Sequence, residues 1–225
     1  MDWARTCVAI IPCFNEAAAM AEVVGGVRRH LPNVIVVDDG STDETGRKAS
    51  AAGAEVIRHA KNLGKGAALR AGFRLARERG FIWALMLDGD GQHAPDDVPA
   101  FFHCAERTSA TLVIGDRLSR AEGMPWLRRQ TNRWMTRRLS RLTRVTLADS
   151  QCGFRLVNLD ALAQLKLTTD HFEIESEMLV AFLASGKKVE FVPVQVIYKS
   201  HPSKIHPLVD TWRWLRWRMK ERKPR

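Results

Sequence analysis

Asp88 and Asp90, in the stretch Asp88-Gly89-Asp90-Gly91-Gln92-His93, are the residues of this sequence best placed to do chemistry. Carboxylates that close repel each other unless a cation or hydrogen bonds stabilise both charges. Hard divalent ions such as Mg²⁺ or Mn²⁺ take such ligands, usually one or two carboxylates together with substrate phosphates. Gly89 and Gly91 free the backbone to turn and admit a ligand at close range, and Gln92 and His93 extend the donor set. The competing reading is a plain surface turn, for which Asp and Gly are ordinary residues. The residues before the pair bear on that choice. Positions 81–87 are all apolar and the run stops at Asp88, which suits a strand buried on both faces of a parallel sheet. Open α/β sheets hold their ligands at the carboxyl ends of such strands.

The elements that must position the pair alternate in type. Apolar runs predict strands over 6–11, 33–37, 55–57, 81–87, 111–114, 152–157 and 189–198, with Pro193 implying an edge strand or a bulge. Helical spacing covers 16–30, 43–52 (with Thr42 or Ser41 as N-cap), 65–79, 96–107, 125–145, 173–184 and 208–222. Strands alternating with helices imply right-handed crossovers and a doubly wound, mainly parallel sheet with helices on both faces. Three loops then meet at one sheet edge: Pro12-Cys13-Phe14-Asn15-Glu16, Asp38-Asp39-Gly40-Ser41-Thr42-Asp43, and Asp88-Gly89-Asp90. Asp39 there suits hydrogen bonds from a nucleobase or ribose. The alternative is that Asp38, Asn15 and Ser41 only cap helices and close turns. Residues 62–68 add Lys65 and free amides at a helix start, an arrangement that suits a phosphate, although neither G-x-x-x-x-G-K-[ST] nor G-x-G-x-x-G occurs.

The chain has 225 residues, 45% of them hydrophobic, enough for one substantial core. Its longest apolar runs fall far short of the roughly 20 residues that cross a bilayer, and the N-terminal run is too short and too soon broken by Pro12 to read as a signal peptide. Cys7, Cys13, Cys104 and Cys152 show neither metal-ligand spacing nor a disulfide framework, which suits a cytoplasmic setting. The formal charge of +10 attracts phosphates, whether of nucleotides, anionic lipid or nucleic acid. Arginines cluster in 128–144 and 213–225, where Trp126, Trp134, Trp212, Trp214 and Trp217 also lie. Leu127, Trp134, Met135, Leu139 and Leu142 recur near helical spacing, and Leu208, Trp212, Leu215 and Met219 form a second stripe. A basic helix with an apolar Trp-bearing face fits an anionic membrane surface, and the same stripe also fits packing on its own core. No nucleic-acid recognition motif accompanies these patches, so no nucleic-acid partner is expected.

The segments IPCFNE, VIVVDDGSTDET, NLGKGAALRAGF, LDGDGQHAP, IGDR, DSQCGFRL and FEIESEML occur in an order that resembles the family 2 glycosyltransferases. Over residues 6–206 the chain looks most like the polyprenyl-phosphate sugar transferases, the dolichyl-phosphate mannosyltransferase-like branch. That resemblance implies a GT-A fold spanning 1–206, with 207–225 as a basic tail. It also implies a UDP- or GDP-linked sugar donor, Mg²⁺ or Mn²⁺, inversion at the anomeric carbon and a polyprenyl-phosphate or related lipid acceptor. The enzyme would then sit peripherally on the cytoplasmic face of a membrane. Carried over by position, Pro12, Phe14, Glu16 and Asp39, with Asn15 in the same loop, would line the nucleotide. Asp88, Asp90 and Gln92 would hold the metal and donor, Arg117 and Arg155 would face phosphates, and Ser203 and Lys204 resemble a phosphate-contacting loop. An alcohol acceptor would need a general base, for which Asp149, Glu175 and Glu177 are the choices, whereas an ionised lipid phosphate would need only positioning. A soluble or glycan acceptor, or nucleotide binding without transfer, are the alternatives. Gly89 and Gly91 stand where the branch usually has Ala and Leu, and Tyr198-Lys199-Ser200-His201-Pro202 where it tends to carry an Arg.

Overall fold

A computed structural model of the protein describes residues 1–119, 124–197 and 212–217. In chain order its elements are α1 (Trp3–Thr6), β1 (Cys7–Cys13), α2 (Met20–Arg28), β2 (Val34–Asp38), α3 (Thr45–Ala51), β3 (Glu55–Arg58), α4 (Lys65–Glu78), β4 (Trp83–Met86), a 3₁₀ turn (Pro95–Asp97), α5 (Val98–Thr108), β5 (Leu112–Asp116), α6 (Trp126–Thr143), β6 (Arg155–Asn158), α7 (Leu159–Ala163), α8 (Glu173–Ala184) and β7 (Val189–Pro193). Residues 212–217 are helical as well.

The strands form one seven-stranded sheet in the order β3-β2-β1-β4-β6-β5-β7. β3, β2, β1 and β4 run parallel. β6 runs antiparallel to both its neighbours, β4 and β5, and β7 is parallel to β5 at the edge. Every residue of β1, β2 and β4 is buried, so these strands are covered on both faces, as their unbroken apolar sequences require. Pro193, which lacks the amide a ladder needs, ends β7 on that edge. The strand ends short of the predicted bound, and beyond it Val196 makes an isolated bridge to His93.

Close packing sets α4 on the sheet. A Cβ at Gly72 would lie 2.6 Å from Ile10 of β1, so the helix sits nearer than any side chain would allow. Lys65, at its first turn, is thereby carried to the edge where β1, β2 and β4 end. Two short helices lay outside the sequence expectation: α7, capped by the Asn158 side chain on Ala161 N (2.8 Å), and α1. In α1, Trp3 stacks on Phe102 (4.4 Å between centroids) and meets Trp83 edge-on (5.5 Å). The predicted N-cap of α3 is corrected too. Glu44 stands at that position without a side-chain cap, because Ser41 and Thr42 are committed to Asn15.

Candidate active site

The parallel strands β2, β1 and β4 end at one edge, and their loops bind each other before they bind anything else. Asn15 takes a left-handed conformation (φ 52°), which Asn tolerates better than most residues. Its amide donates to Ser41 Oγ (2.9 Å) and its Oδ1 accepts from Thr42 N (2.8 Å). Asp38 is fully buried and accepts from Ser41 N (2.8 Å). These three residues therefore serve the turns. Asp39 is anchored likewise by Leu63 N (3.0 Å), Gly64 N (2.8 Å) and His59 Nδ1 (2.7 Å). It nevertheless reaches the cleft that the loops enclose.

That cleft, about 450 Å³, is lined by Pro12, Phe14, Glu16, Asp39, Lys65, Asp88 and Asp90, together with Arg128, His171, Phe172 and Arg213. Lys65 Nζ stands 2.5 Å from Asp88 Oδ1 and 2.5 Å from Glu175 Oε1 on α8. Burial works against the Lys65 ammonium, yet the two carboxylates outweigh it and hold its pKa above the ordinary lysine value. Burial would likewise raise the Asp88 carboxyl, but Lys65 and then His93, whose Nε2 is 3.4 Å away, hold it well below the usual carboxylate range. The amides at the start of α4, expected free for a phosphate, are occupied. Gly66 N and Ala67 N both donate to the Asp170 carbonyl (2.7 and 3.3 Å), so Lys65 alone carries the cationic character of that turn.

Gly153, just before β6, forms the floor of the Asp88–Lys65–Glu175 group. A Cβ there would lie 2.8 Å from Asp88 Oδ2, 2.8 Å from Glu175 Oε1 and 3.0 Å from Lys65 Nζ. Gly153→Ala is expected to displace the ion group, lowering stability by about 1–3 kcal/mol and activity with it. Gly25→Ala, in open space on α2, is the control and should be neutral or slightly stabilising. Urea unfolding of the two variants decides this, and equal stability would show that the floor can yield.

Asp90 stands apart from this group. Its Oδ1 accepts from Gln92 N (3.0 Å) and its other oxygen has no protein hydrogen bond among the described residues. Gln92 Oε1 accepts from Arg128 Nη1 (3.2 Å). Among the described residues no three His, Cys, Asp or Glu side chains converge to hold a metal by themselves. The donor set fits a hard ion that arrives with phosphate: one available carboxylate at the cleft, a second beside it and an amide oxygen, the remaining ligands coming from substrate.

A model of the family described as "Glycosyl transferase family 2" matches residues 8–166. The chain belongs to glycosyl transferase family 2. Its relatives include a UDP-N-acetylglucosamine–dolichyl-phosphate N-acetylglucosaminyltransferase of Methanococcus voltae, 29% identical over 85% of this chain and 86% of that one. Another is an undecaprenyl-phosphate mannosyltransferase of Micrococcus luteus, 32% identical over 84% and 82%. Among solved structures, glucosyl-3-phosphoglycerate synthase from Mycobacterium tuberculosis in complex with Mn²⁺, UDP and phosphoglyceric acid has the same fold, with a TM-score of 0.72 at 19% identity over 94% of this chain and 75% of that one. The sheet is thus that of a GT-A glycosyltransferase, and the resemblance to the polyprenyl-phosphate sugar transferases is carried by these relatives.

Within this family 2 fold, several residues expected at the cleft hold the framework instead. Asp149, fully buried, is gripped by Arg117 through Nε (2.8 Å), Nη2 (3.1 Å) and N (3.3 Å). Burial would raise the Asp149 carboxyl, but Arg117 reverses that and lowers it. Neither member of this pair lines the cleft, and a base so engaged has no lone pair aimed at a substrate. Arg155, also fully buried, donates to the carbonyls of Cys152 (2.8 Å), Glu175 (2.6 Å) and Ser150 (3.0 Å), and burial lowers its pKa. It orders the turn into β6 and does not face the cleft. Glu177 accepts from the amides and hydroxyls of Thr168 and Thr169 (2.7–3.1 Å) and so fastens the 168–170 loop. The Cys152 thiol is pushed up to about 12 by burial, so it is no nucleophile. Ser203 and Lys204 lie outside the described residues. Conversely, Arg128, His171, Phe172, Gly153 and Arg213 were not singled out from sequence. Gly153 and Phe172 sat within telling motifs, DSQCGFRL and FEIESEML.

Proposed function

We propose that this glycosyltransferase moves a hexose, with inversion, from a UDP- or GDP-linked donor to a polyprenyl phosphate or related lipid phosphate. One observation carries the reading: Asp39, Asp88 and Asp90 share a cleft with Arg128 and Arg213, so a site for a sugar nucleotide and a cation opens directly onto the two Arg/Trp segments. Pro12, Phe14, Glu16 and Asp39 would hold the nucleoside, and Asp90, Asp88 and Gln92 would hold Mg²⁺ or Mn²⁺. When bound there, the ion supplies positive charge to the diphosphate leaving group. Arg128 and Arg213 add cationic side chains from the protein itself.

The state of the acids favours a phosphate acceptor. Asp149, Glu175 and Glu177 are each taken up by Arg117, Lys65 or the 168–169 turn, so none of the three predicted bases stands ready for an alcohol. An ionised phosphate oxygen needs none and attacks the anomeric carbon from the face opposite the leaving group. The names of the relatives agree with a lipid phosphate. Trp126 (72% exposed), Leu127 (68%) and Trp212 (59%) lie open on the same two segments, an amphipathic basic surface suited to anionic headgroups. No helix among the described residues is long and apolar enough to cross a membrane, and we place the enzyme peripherally on the cytoplasmic face.

Labelled UDP- and GDP-hexoses, offered with dolichyl or undecaprenyl phosphate in detergent and Mn²⁺, provide the test. Label is expected to enter the organic phase from one donor class and to stay in water when EDTA is present. Label that reaches only a water-soluble acceptor, or only free sugar, would overturn the lipid-phosphate reading.

A further inference from the structure

The helix at 212–217 does more than present tryptophans to a surface. Its seating divides the stripe read from sequence, with Leu215 packed against the core and Trp212 exposed. Trp214 (2% exposed) and Trp217 (6%) are buried, whereas Trp212 is exposed with the Arg216 guanidinium over its ring (5.5 Å). Trp214 Nε1 donates to Ser176 Oγ on α8 (2.9 Å), and its ring lies 5.8 Å from Trp134 of α6 and 6.4 Å from Trp217. Ser176 sits between Glu175, which holds Lys65, and Glu177, which holds the 168–169 turn. The helix is therefore fastened to the same turns of α8 that build the ion group, and the residue before its anchor, Arg213, lines the cleft.

The charge of the cleft gives that placement a meaning. Glu16, Asp39, Asp88 and Asp90 all line it, and an anionic substrate must be drawn past them. Arginine offers a planar fork that matches two phosphate oxygens, at a strength roughly twice that of a neutral hydrogen bond. We propose that Arg213 is a phosphate-binding residue of the transfer site and that Trp214 is its positioning residue. Residues 212–217 are then a wall of the active site. The inference rests on the transfer reading above. The phosphate belongs either to the donor diphosphate or to the acceptor monophosphate.

Both sources can be told apart with Arg213→Gln, Arg213→Lys, Trp214→Phe and the double variant. The assays are UDP or GDP binding with Mn²⁺ by calorimetry, and steady-state transfer with donor and acceptor varied separately. Arg213→Gln is expected to weaken one of the two substrates by about 10- to 100-fold, the span of a lost charge-assisted hydrogen bond. A change in nucleotide Kd and donor KM assigns the contact to the donor, and a change confined to acceptor KM assigns it to the acceptor. Arg213→Lys should recover part of the loss. Trp214→Phe keeps an aromatic anchor but not the bond to Ser176, and should raise the same KM, with Arg213→Gln/Trp214→Phe no worse than Arg213→Gln alone. Both KM values and the nucleotide Kd within twofold of native in Arg213→Gln would overturn the proposal, as would additive losses in the double variant. A native protein that neither binds a nucleoside diphosphate nor transfers sugar would instead overturn the transfer reading itself.

Discussion

Asp90→Ala is expected to abolish the Mn²⁺-dependent rise in unfolding temperature that UDP or GDP gives the native protein, and to lower transfer by roughly 10²- to 10³-fold, about 3–4 kcal/mol of lost charge stabilisation. A ligand that binds only the folded state raises stability by mass action, so the shift reports binding without turnover. The substitution itself should be mild. Asp90 is partly exposed and accepts one hydrogen bond among the described residues, from Gln92 N, so the unliganded protein loses about 1 kcal/mol at most. Thermal scans with nucleotide, with Mn²⁺ and with both separate the effects. A variant that keeps the full metal-dependent shift would remove Asp90 from the cation site.

Lys65→Met should do the opposite: a large loss of stability that depends on pH. In the native protein the ammonium lies between Asp88 and Glu175, each 2.5 Å away, with Glu175 buried and Asp88 about a third exposed. Without it two carboxylates face each other, and since Asp88 keeps some solvent the cost falls below the roughly 3–5 kcal/mol of breaking a fully buried pair. The sign with pH follows from linkage. The depressed native Asp88 contributes stability that is present above its unfolded pKa of about 3.9 and is lost as pH falls through its folded value. In Lys65→Met the remaining pair of like charges raises one carboxyl above its unfolded value, so the variant gains stability as pH falls below neutrality. Urea unfolding at pH 7 and pH 5 should show the gap between native and variant narrowing in acid. A gap constant across that range would mean that packing, and not charge, is what Lys65 provides.

What the sequence disclosed, and what it withheld, divides along the range of the interactions. β1, β2 and β4 were legible because burial on both faces leaves an unbroken apolar run, and α8 was read as 173–184, the bounds it has. The order of the sheet beyond β4 was not legible, since an apolar tetrad such as β6 carries no mark of its direction or its neighbours. Charge posed the same difficulty. Arg117 and Arg155 were placed at the cleft by resemblance and Asp149 and Glu177 as candidate bases, yet Arg117 finds Asp149 across 32 residues of chain, and nothing local in the sequence announces such a partner. The stripe was drawn through Trp212 and Leu215, but the residues most deeply buried on that helix are Trp214 and Trp217, with Leu215 only partly packed against the core. With tryptophans on both sides, periodicity alone does not choose.

The reversed strand β6 has a consequence for how the chain is made. β5 ends at Asp116, but both its partners, β6 from Arg155 and β7 from Val189, are synthesised later. As the nascent chain leaves the ribosome N-terminus first, β1 to β4 can pair in order, while β4 keeps one side open until residues 155–158 arrive to fill it. That waiting edge is Trp-Ala-Leu-Met, wholly apolar, the kind of strand that other chains readily join. Inserting β6 late is therefore the step at which assembly competes with aggregation, and it is also the step that brings Gly153 and its turn beside Asp88. Until then the growing chain holds its donor loops without the half of the site that completes them.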